Sequence, residues 1–262
     1  MAPVEHDVDG DLATITMQNP ELRNALTLET AERIQEAVDA VEDSDVRCVV
    51  LEGSGGTFCA GGDIEAMVEG LVSDRETEEL IRKVGVPINR TVQRVYECSV
   101  PTVAKVDGTA FGAGGSLAIA CDLVLASERA EMSFGFRRIG LSVDSGTSYL
   151  LPRVVGEKTA MELVYTGDLL EASEARDLGL VNRVYPTDEF DEGCAELIDR
   201  VATGPTTALK HSKRLLQGGG QRTFEEVIDA EIDSLCAVFE TDDVSEGVNS
   251  FFERRTPEFE GK

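Results

Sequence analysis

The sequence has no tryptophan, only two histidines, and six lysines beside eighteen arginines. The two histidines, His6 and His211, are far apart in the chain and neither lies near a cysteine pair. A histidine-based catalytic triad and a zinc site are therefore disfavoured. No run approaches 18 uncharged apolar residues, so we expect no membrane-spanning helix. These absences favour a mechanism that needs neither an imidazole nor a metal ion.

The cysteines are also uninformative as a set, because they are scattered and form no CxxC pair. We expect reduced thiols that mostly fill the core of a cytoplasmic protein. The first residues, MAPVEHDVDGD, carry acids where a secretory signal peptide needs bases and an apolar run. We expect neither a metal nor a redox cofactor. The six cysteines are Cys48, Cys59, Cys98, Cys121, Cys194 and Cys236.

Basic residues are scarce relative to acids: 50 acids against 24 bases give a net charge of −26. Such a surface repels nucleic acid and anionic membranes, so we expect neither as a partner. Acids spread over all the predicted helices, together with few lysines, are typical of proteins adapted to high salt. We treat this halophilic character as a hypothesis about the source of the chain, not about its chemistry.

Two glycine-rich stretches each follow a buried strand and open a helix. Gly53 to Met67 reads GSGGTFCAGGDIEAM, and Thr102 to Asp122 reads TVAKVDGTAFGAGGSLAIACD. The start of a helix offers backbone N–H groups without intrahelical partners at the positive end of its dipole. Two such loops could donate one hydrogen bond each to a single developing oxyanion. Either loop alone could also be a glycine turn that only packs a helix on a strand.

The two stretches, with GTSYLLPRVVG and TGDLLEASEARDLGLVNRVYP further along, resemble the crotonase (enoyl-CoA hydratase/isomerase) superfamily in order and spacing. The resemblance covers nearly the whole chain. It implies an α/β fold, a stacked ββα core over residues 1–200, with a C-terminal helical module over residues 201–262. It also implies an acyl-coenzyme A thioester as substrate and assembly into a homotrimer or a dimer of trimers.

The pattern along the chain predicts several elements that the fold must contain. A hairpin is expected over residues 4–17, followed by a helix capped by Thr27. An acidic helical region is expected from Ser73 to Glu97, interrupted by Pro87. From about Ser145 onward the chain is predicted to be mostly helical, with one segment running from Phe224 to Phe252.

The resemblance places the oxyanion donors at the backbone amides of Ala60 and Ala113. It also places bases for the nucleotide part of coenzyme A at Arg23, Lys213 and Arg254, where solvated surface bases are an equal alternative. The full set of expected substrate-binding positions is Arg23, Ala25, Ala60, Gly61, Gly62, Asp63, Ile64, Ala113, Phe136, Lys213 and Arg254.

The proton carriers depart from the hydratase pattern. Hydratases of the family carry two glutamates, and the matching positions here are Ser116 and Phe136. One carboxylate remains in the neighbourhood, Asp144, in the segment GLSVDSGTSYLLPRVVG. This segment resembles the family subset in which the aspartate faces the acyl group, including 1,2-epoxyphenylacetyl-CoA isomerases, some enoyl-CoA isomerases and chlorobenzoyl-CoA dehalogenases. The alternative is that Asp144 is only the N-cap of the next helix.

We therefore expect an acyl-CoA isomerase in which Asp144 moves a proton while two amides hold a thioester enolate. A hydratase with an atypical proton carrier is the first alternative. A non-catalytic acyl-CoA-binding protein is the second. The acyl group itself is not determined by the sequence.

Overall fold

The structure is a computed structural model that describes residues 2–72 and 76–262. Its strands form two sheets, one with the order β1-β2-β3-β5-β7-β10 and one with the order β4-β6-β8-β9. The strands are β1 Val4–Asp9, β2 Leu12–Met17, β3 Cys48–Gly53, β4 Thr57–Cys59, β5 Thr102–Val106, β6 Thr109–Phe111, β7 Leu123–Ser127, β8 Glu131–Ser133, β9 Leu170–Glu171 and β10 Arg183–Tyr185.

The sheets are built by a repeated step along the chain. In the pairs β3–β4, β5–β6 and β7–β8, the first strand joins the larger sheet and the second joins the smaller one. Neighbours within these sets pair in parallel, whereas β1–β2 and β8–β9 are antiparallel. This alternation is the stacked ββα core that the sequence predicts, and that prediction is confirmed.

The larger sheet is covered on both faces, which explains why β3 is an almost unbroken apolar run. Val49 and Leu51 face the main core, while Cys48 and Val50 face a second cluster. The second cluster is completed by one face of a later helix through Phe190, Cys194, Ile198 and Ala202. A strand buried on both sides loses the polar alternation of a half-exposed strand.

The helices lie between and around these strands. They are α1 Leu28–Glu42, α2 Ile64–Leu71, α3 Thr77–Leu80, α4 Val86–Glu97, α5 Ala113–Ala120, α6 Thr147–Val155, α7 Glu157–Thr166, α8 Ala172–Asp177, α9 Phe190–Ala202, α10 Thr206–Gly219, α11 Phe224–Phe239 and α12 Asp242–Glu253. The predicted hairpin is present, and Thr27 caps α1 by accepting a hydrogen bond from the Thr30 amide at 3.1 Å. None of the helices in the described ranges is both long and apolar enough to cross a membrane.

The predicted interruption at Pro87 takes the form of a π-helical segment, Ile81–Gly85, directly before α4. Proline lacks an N–H and its ring collides with the carbonyl four residues earlier, so the helix widens there instead of continuing as an α-helix. The predicted start of this region at Ser73 lies outside the described residues. Its end at Glu97 agrees with the end of α4.

The single helix predicted from Phe224 to Phe252 is wrong, because the chain breaks between α11 and α12. Thr241 has an extended backbone, and its hydroxyl donates to the Val238 carbonyl at 2.8 Å. After the break, Asp243 accepts the amides of Glu260 and Gly261 at 2.8 and 3.0 Å, so the last residues fold back on α12. The domain boundary expected at residue 200 falls inside α9 and stays a prediction.

Candidate active site

The two glycine loops meet at one edge of the smaller sheet. β4 and β6 pair in parallel, with Thr57 opposite Thr109 and Cys59 opposite Ala110. A Cβ atom on Gly61 would lie 2.7 Å from the Phe111 carbonyl oxygen, and one on Gly114 would lie 2.2 Å from the Cys59 carbonyl oxygen. Both distances are too short for any side chain. Glycine at these two positions therefore lets the backbones touch.

Ala113 is the first residue of α5 and is buried. Gly112 precedes it with φ 52° and ψ −116°, and its amide donates to the Ser133 carbonyl at 2.8 Å. Over residues 2–72 and 76–262, the Ala113 amide has no hydrogen-bond acceptor. The Ala113 nitrogen lies 3.6 Å from the position that a Cβ atom on Gly61 would occupy, so it faces the first glycine loop. The structure therefore presents Ala113 as an available donor at a helix N-terminus.

The Ala60 amide is not available as the second donor, and this part of the prediction is wrong. It already donates to the Arg23 carbonyl at 3.0 Å, and Arg23 has a left-handed backbone with φ 51° that turns this carbonyl toward it. Leu26 donates to the Gly61 carbonyl at 2.8 Å in the same contact. The segment from Arg23 to Leu26 thus forms a short pairing with the first loop, which consumes the Ala60 N–H.

Gly62 is the better candidate for that donor. Gly62 forms an isolated parallel β-bridge with Leu26. The hydrogen bonds of such a bridge are made by the residues on either side of Gly62, so the Gly62 N–H points away from Leu26. Among the described residues, no acceptor receives a hydrogen bond from the Gly62 amide. A Cβ on Gly62 would meet the Met67 methyl at 3.0 Å and Ile88 at 4.0 Å, so apolar side chains pack beside this glycine.

Ser116 occupies one of the two positions where a hydratase has glutamate, and it is fully buried. Its hydroxyl lies 2.5 Å from that of Thr147, which donates to the main-chain carbonyl of Asp144 at 2.6 Å. This network joins the first turn of α5 to the segment that carries Asp144. Ser116 therefore has a structural role in placing that segment.

Phe136 occupies the second glutamate position and is also buried. It begins a short 3-10 helix, Phe136–Ile139, and its ring lies 3.8 Å from where a Cβ on Gly112 would be. The ring thus forms an apolar wall beside the turn that presents the Ala113 amide. Its contact with substrate stays a prediction.

Asp144 is half-buried, and its carboxylate does not cap α6. The helix begins at Thr147 after Gly146, and the Thr147 amide donates to the Asp144 main-chain carbonyl at 2.9 Å rather than to the carboxylate. The N-cap alternative is therefore wrong. In the described chain the carboxylate accepts one hydrogen bond, from the Ser145 hydroxyl at 2.8 Å. Burial raises the pKa of Asp144, and the Ser145 hydroxyl opposes that rise.

The expected bases for coenzyme A lie in different settings. Arg23 is exposed beside the first loop, and Arg254 is exposed at the end of α12 with φ 58°. The side chain of Lys213 on α10 is largely buried, with its ammonium 2.7 Å from Asp122 and 3.1 Å from the Val100 carbonyl. Asp122 follows the C-terminal end of α5, away from the first turn. Lys213 thus has structural partners, and its contact with a nucleotide stays a prediction.

The other expected binding positions lie in the first loop and its partner segment. Ala25 is buried against that loop, whereas Ile64 is exposed at the start of α2. Asp63 accepts the amides of Glu65 and Ala66 at 2.9 and 3.1 Å, so it caps α2.

Two supporting residues were missed from the sequence. Asn24 is fully buried, and its side-chain amide donates to the carbonyls of Ser54 and Thr57 at 2.9 and 2.7 Å. Asn89 on α4 accepts the amide of Ser145 at 2.8 Å. An asparagine inside a helix is a poor helix former, and that is the signal that could have singled out Asn89.

Comparison with known proteins identifies the family of this chain. The family model of enoyl-CoA hydratase/isomerase matches residues 7–262. A Thermus thermophilus protein provisionally named enoyl-CoA hydratase is 39% identical over 251 residues, covering 95% of this chain and 98% of that protein. The 1,2-epoxyphenylacetyl-CoA isomerase of Escherichia coli is 31% identical over 262 residues, covering 97% of each chain.

The fold agrees as well. The crystal structure of an enoyl-CoA hydratase from Bacillus anthracis matches with a TM-score of 0.92 at 27% identity, covering 99% of this chain and 100% of that one. The crotonase fold expected from the ordered set of four sequence segments is thereby confirmed. The chain belongs to the enoyl-CoA hydratase/isomerase family.

Proposed function

We propose that this protein is an acyl-CoA isomerase that moves a double bond or rearranges an acyl group through a thioester enolate. The observation that carries this proposal is the setting of Asp144. Its carboxylate is half-buried and free of helix capping, and its segment is tied through Thr147 and Ser116 to the turn that presents Ala113. The similarity to an Escherichia coli 1,2-epoxyphenylacetyl-CoA isomerase supports the same reaction class.

In the proposed reaction, the Asp144 carboxylate removes a proton from a carbon of the acyl chain. The electron pair of the broken C–H bond moves toward the thioester carbonyl, whose oxygen becomes an enolate oxyanion. The amides of Gly62 and Ala113 donate to that oxygen. The protonated Asp144 then returns the proton to a different carbon, so the double bond shifts and nothing else is consumed.

Burial suits Asp144 to this role. A carboxylate in water is a weak base, and a raised pKa brings its proton affinity closer to neutral pH. Phe136 lies beside Gly112 and Met67 lies beside Gly62, so both proposed donor loops carry an apolar neighbour, which favours an apolar part of the acyl group next to the thioester. Ser116 and Phe136 carry no carboxylate, so the two-glutamate activation of water is not supported.

We also propose self-association into a homotrimer or a dimer of trimers. α11 has no buried residue in one copy of the chain, and one of its faces exposes large apolar side chains. Such a continuous apolar stripe is typical of an interface. The stripe consists of Phe224, Ile228, Ile232, Leu235 and Phe239.

The decisive test is Asp144→Asn, assayed with a panel of short, long and aryl 3-enoyl-CoA substrates. Removal of the proton carrier should lower kcat by about 10²–10⁴-fold, while acyl-CoA affinity stays near that of the parent. Asp43→Asn, an exposed change at the end of α1, is the matched control and should leave kcat unchanged.

Three other outcomes would contradict the proposed mechanism or assign a different function. Turnover by Asp144→Asn at the parent rate would remove Asp144 from the mechanism. Hydration of 2-enoyl-CoA by the parent, without isomerisation of 3-enoyl-CoA, would establish the hydratase alternative. Binding of acyl-CoA without turnover of any panel member would establish the non-catalytic alternative.

A further inference from the structure

Asn89, the fourth residue of α4, makes an unusual pair of contacts. Its side-chain N–H donates to the Gly85 carbonyl at 2.7 Å, and its side-chain oxygen accepts the Ser145 amide at 2.8 Å. Gly85 ends the π-helical segment that precedes Pro87. The first bond fixes the plane of the Asn89 amide, so its oxygen points in one direction. Asn89 thus joins this helical irregularity to the segment that carries Asp144.

Ser145 receives that bond in a conformation that serine rarely adopts. It is fully buried, with φ 51° in the left-handed region. A non-glycine residue there is strained unless its surroundings hold it in place. The Ser145 hydroxyl in turn donates to the Asp144 carboxylate at 2.8 Å. The orientation of this hydroxyl therefore depends on the backbone that Asn89 holds.

We infer that Asn89 is the positioning residue of Asp144, acting through the backbone of Ser145 and its hydroxyl. This inference rests on the proposed function, in which Asp144 carries the proton. Without the Asn89 oxygen, Ser145 can relax toward an ordinary negative φ, which turns its hydroxyl away. The carboxylate then loses both its hydrogen-bond donor and its fixed direction.

The same chain of contacts links Asn89 to the ionisation of Asp144. Within the described residues, the Ser145 hydroxyl is the one side chain that shifts the pKa of Asp144, downward, against the upward effect of burial. Loss of that hydroxyl contact should therefore raise the pKa further. A base acts in its ionised form, so activity would then be lost at a higher pH as the solution is acidified.

The test compares two replacements that remove both contacts, Asn89→Ala by truncation and Asn89→Leu at similar volume. Each should lower kcat by about 10–10²-fold with KM near the parent value, because a misplaced group slows chemistry more than binding. The acid limb of the kcat–pH profile should move to higher pH. Asn89→Asp keeps an acceptor for the Ser145 amide, so its kcat at alkaline pH should recover toward the parent.

Asn182→Ala is the matched control. Asn182 also accepts a backbone amide, that of Val124 at 2.7 Å, but on the larger sheet at β7. It should lower the melting temperature without moving the acid limb. Ser145→Ala should reproduce the shift of the acid limb, and the double variant with Asn89→Ala should add little to it, because both act through one path.

The outcomes separate the inference from the function on which it rests. If folded Asn89 variants keep the parent kcat and pH profile while Asp144→Asn is inactive, the positioning role is wrong and the isomerase mechanism stands. If Asp144→Asn keeps the parent rate, the isomerase mechanism itself is wrong, and the positioning role of Asn89 is wrong with it. Failure of both Asn89→Ala and Asn89→Leu to fold would make Asn89 a folding residue and overturn the inference.

Discussion

Three non-glycine residues with a left-handed backbone, Arg23, Asn24 and Ser145, lie next to the candidate site. Each is held by hydrogen bonds that a relaxed backbone would lose. Arg23 offers its carbonyl to Ala60, Asn24 holds the first loop, and Ser145 is bound by Asn89. Strain of this kind persists where the surroundings over-determine the conformation, and it concentrates at functional sites. It is therefore consistent with a site assembled from several loops.

The donor role of Ala113 can be tested by Ala113→Pro, which deletes its N–H. Proline is tolerated at the first position of a helix, where the N–H has no intrahelical partner. We expect kcat to fall by about 10²–10³-fold in a folded protein, because one of two oxyanion donors is lost.

Glu157→Pro is the matched control for this change, since Glu157 is the exposed first residue of α7. It should fold and turn over substrate at the parent rate. Unchanged turnover in a folded Ala113→Pro protein, measured by circular dichroism and steady-state kinetics, would remove Ala113 from the oxyanion hole.

At the scale of elements, α10 and the turn that follows it are attached to the core by three polar side chains spaced four residues apart, two on the helix and one, Gln221, just beyond its end. Lys213 pairs with Asp122, Gln217 donates to the Tyr96 carbonyl at 3.0 Å, and Gln221 donates to the Tyr149 hydroxyl at 2.7 Å. Residues four apart lie on one face of a helix. This face therefore docks by hydrogen bonds, and the structure supplies a reason for a buried lysine that does not require a ligand.

Lys213→Met tests whether this lysine holds α10 or contacts coenzyme A. Its side chain is 8% exposed and that of Asp122 is 25% exposed, so removal leaves a largely buried carboxylate without its cation. We expect the free energy of unfolding to fall by about 3 kcal/mol, the lower end for a broken buried pair, because Asp122 keeps two bonds from Thr102.

Acyl-CoA affinity, measured by calorimetry, should be unchanged in Lys213→Met. The matched control is Lys158→Met at an exposed position of α7, which should alter neither quantity. A weaker affinity with an unchanged melting temperature would assign Lys213 to the nucleotide instead.

At the scale of the whole molecule, the net charge of −26 opposes close association of several copies of the chain. The apolar stripe on α11 favours association, so the two effects compete. Screening decides between them, since the Debye length falls from about 10 Å at 0.1 M salt to about 3 Å at 1 M.

We therefore expect the assembly to loosen below about 0.5 M KCl and to tighten above it. Sedimentation velocity at 0.1 M and 2 M KCl should show the larger species at high salt, with a higher melting temperature. NaCl at equal concentration is the control, because screening does not depend on the cation. Equal melting temperatures and masses at both concentrations would contradict the halophilic hypothesis.

Much of the fold could be predicted because its signals are local. The hairpin, the Thr27 cap and the doubly buried β3 each follow from a short pattern of residues. The break between α11 and α12 could not, because Asp243 gains its partners from residues 17 and 18 positions later in the chain. The pattern of apolar residues continues across that break and hides it.

For the site, the sequence by itself determined which chemistry is possible: two loops with free amides, no glutamate at positions 116 and 136, and a carboxylate at Asp144. Only the tertiary structure decided which groups are available for it. The Ala60 amide is taken by the Arg23 carbonyl, and the Asp144 carboxylate does not cap α6 because Gly146 occupies the N-cap position. An amide N–H donates to a ligand only if no protein acceptor already holds it, and the Arg23 carbonyl that holds Ala60 comes from a segment remote in the chain. A carboxylate has several acceptor sites, so Asp144 can act on a ligand beside its one hydrogen bond from Ser145.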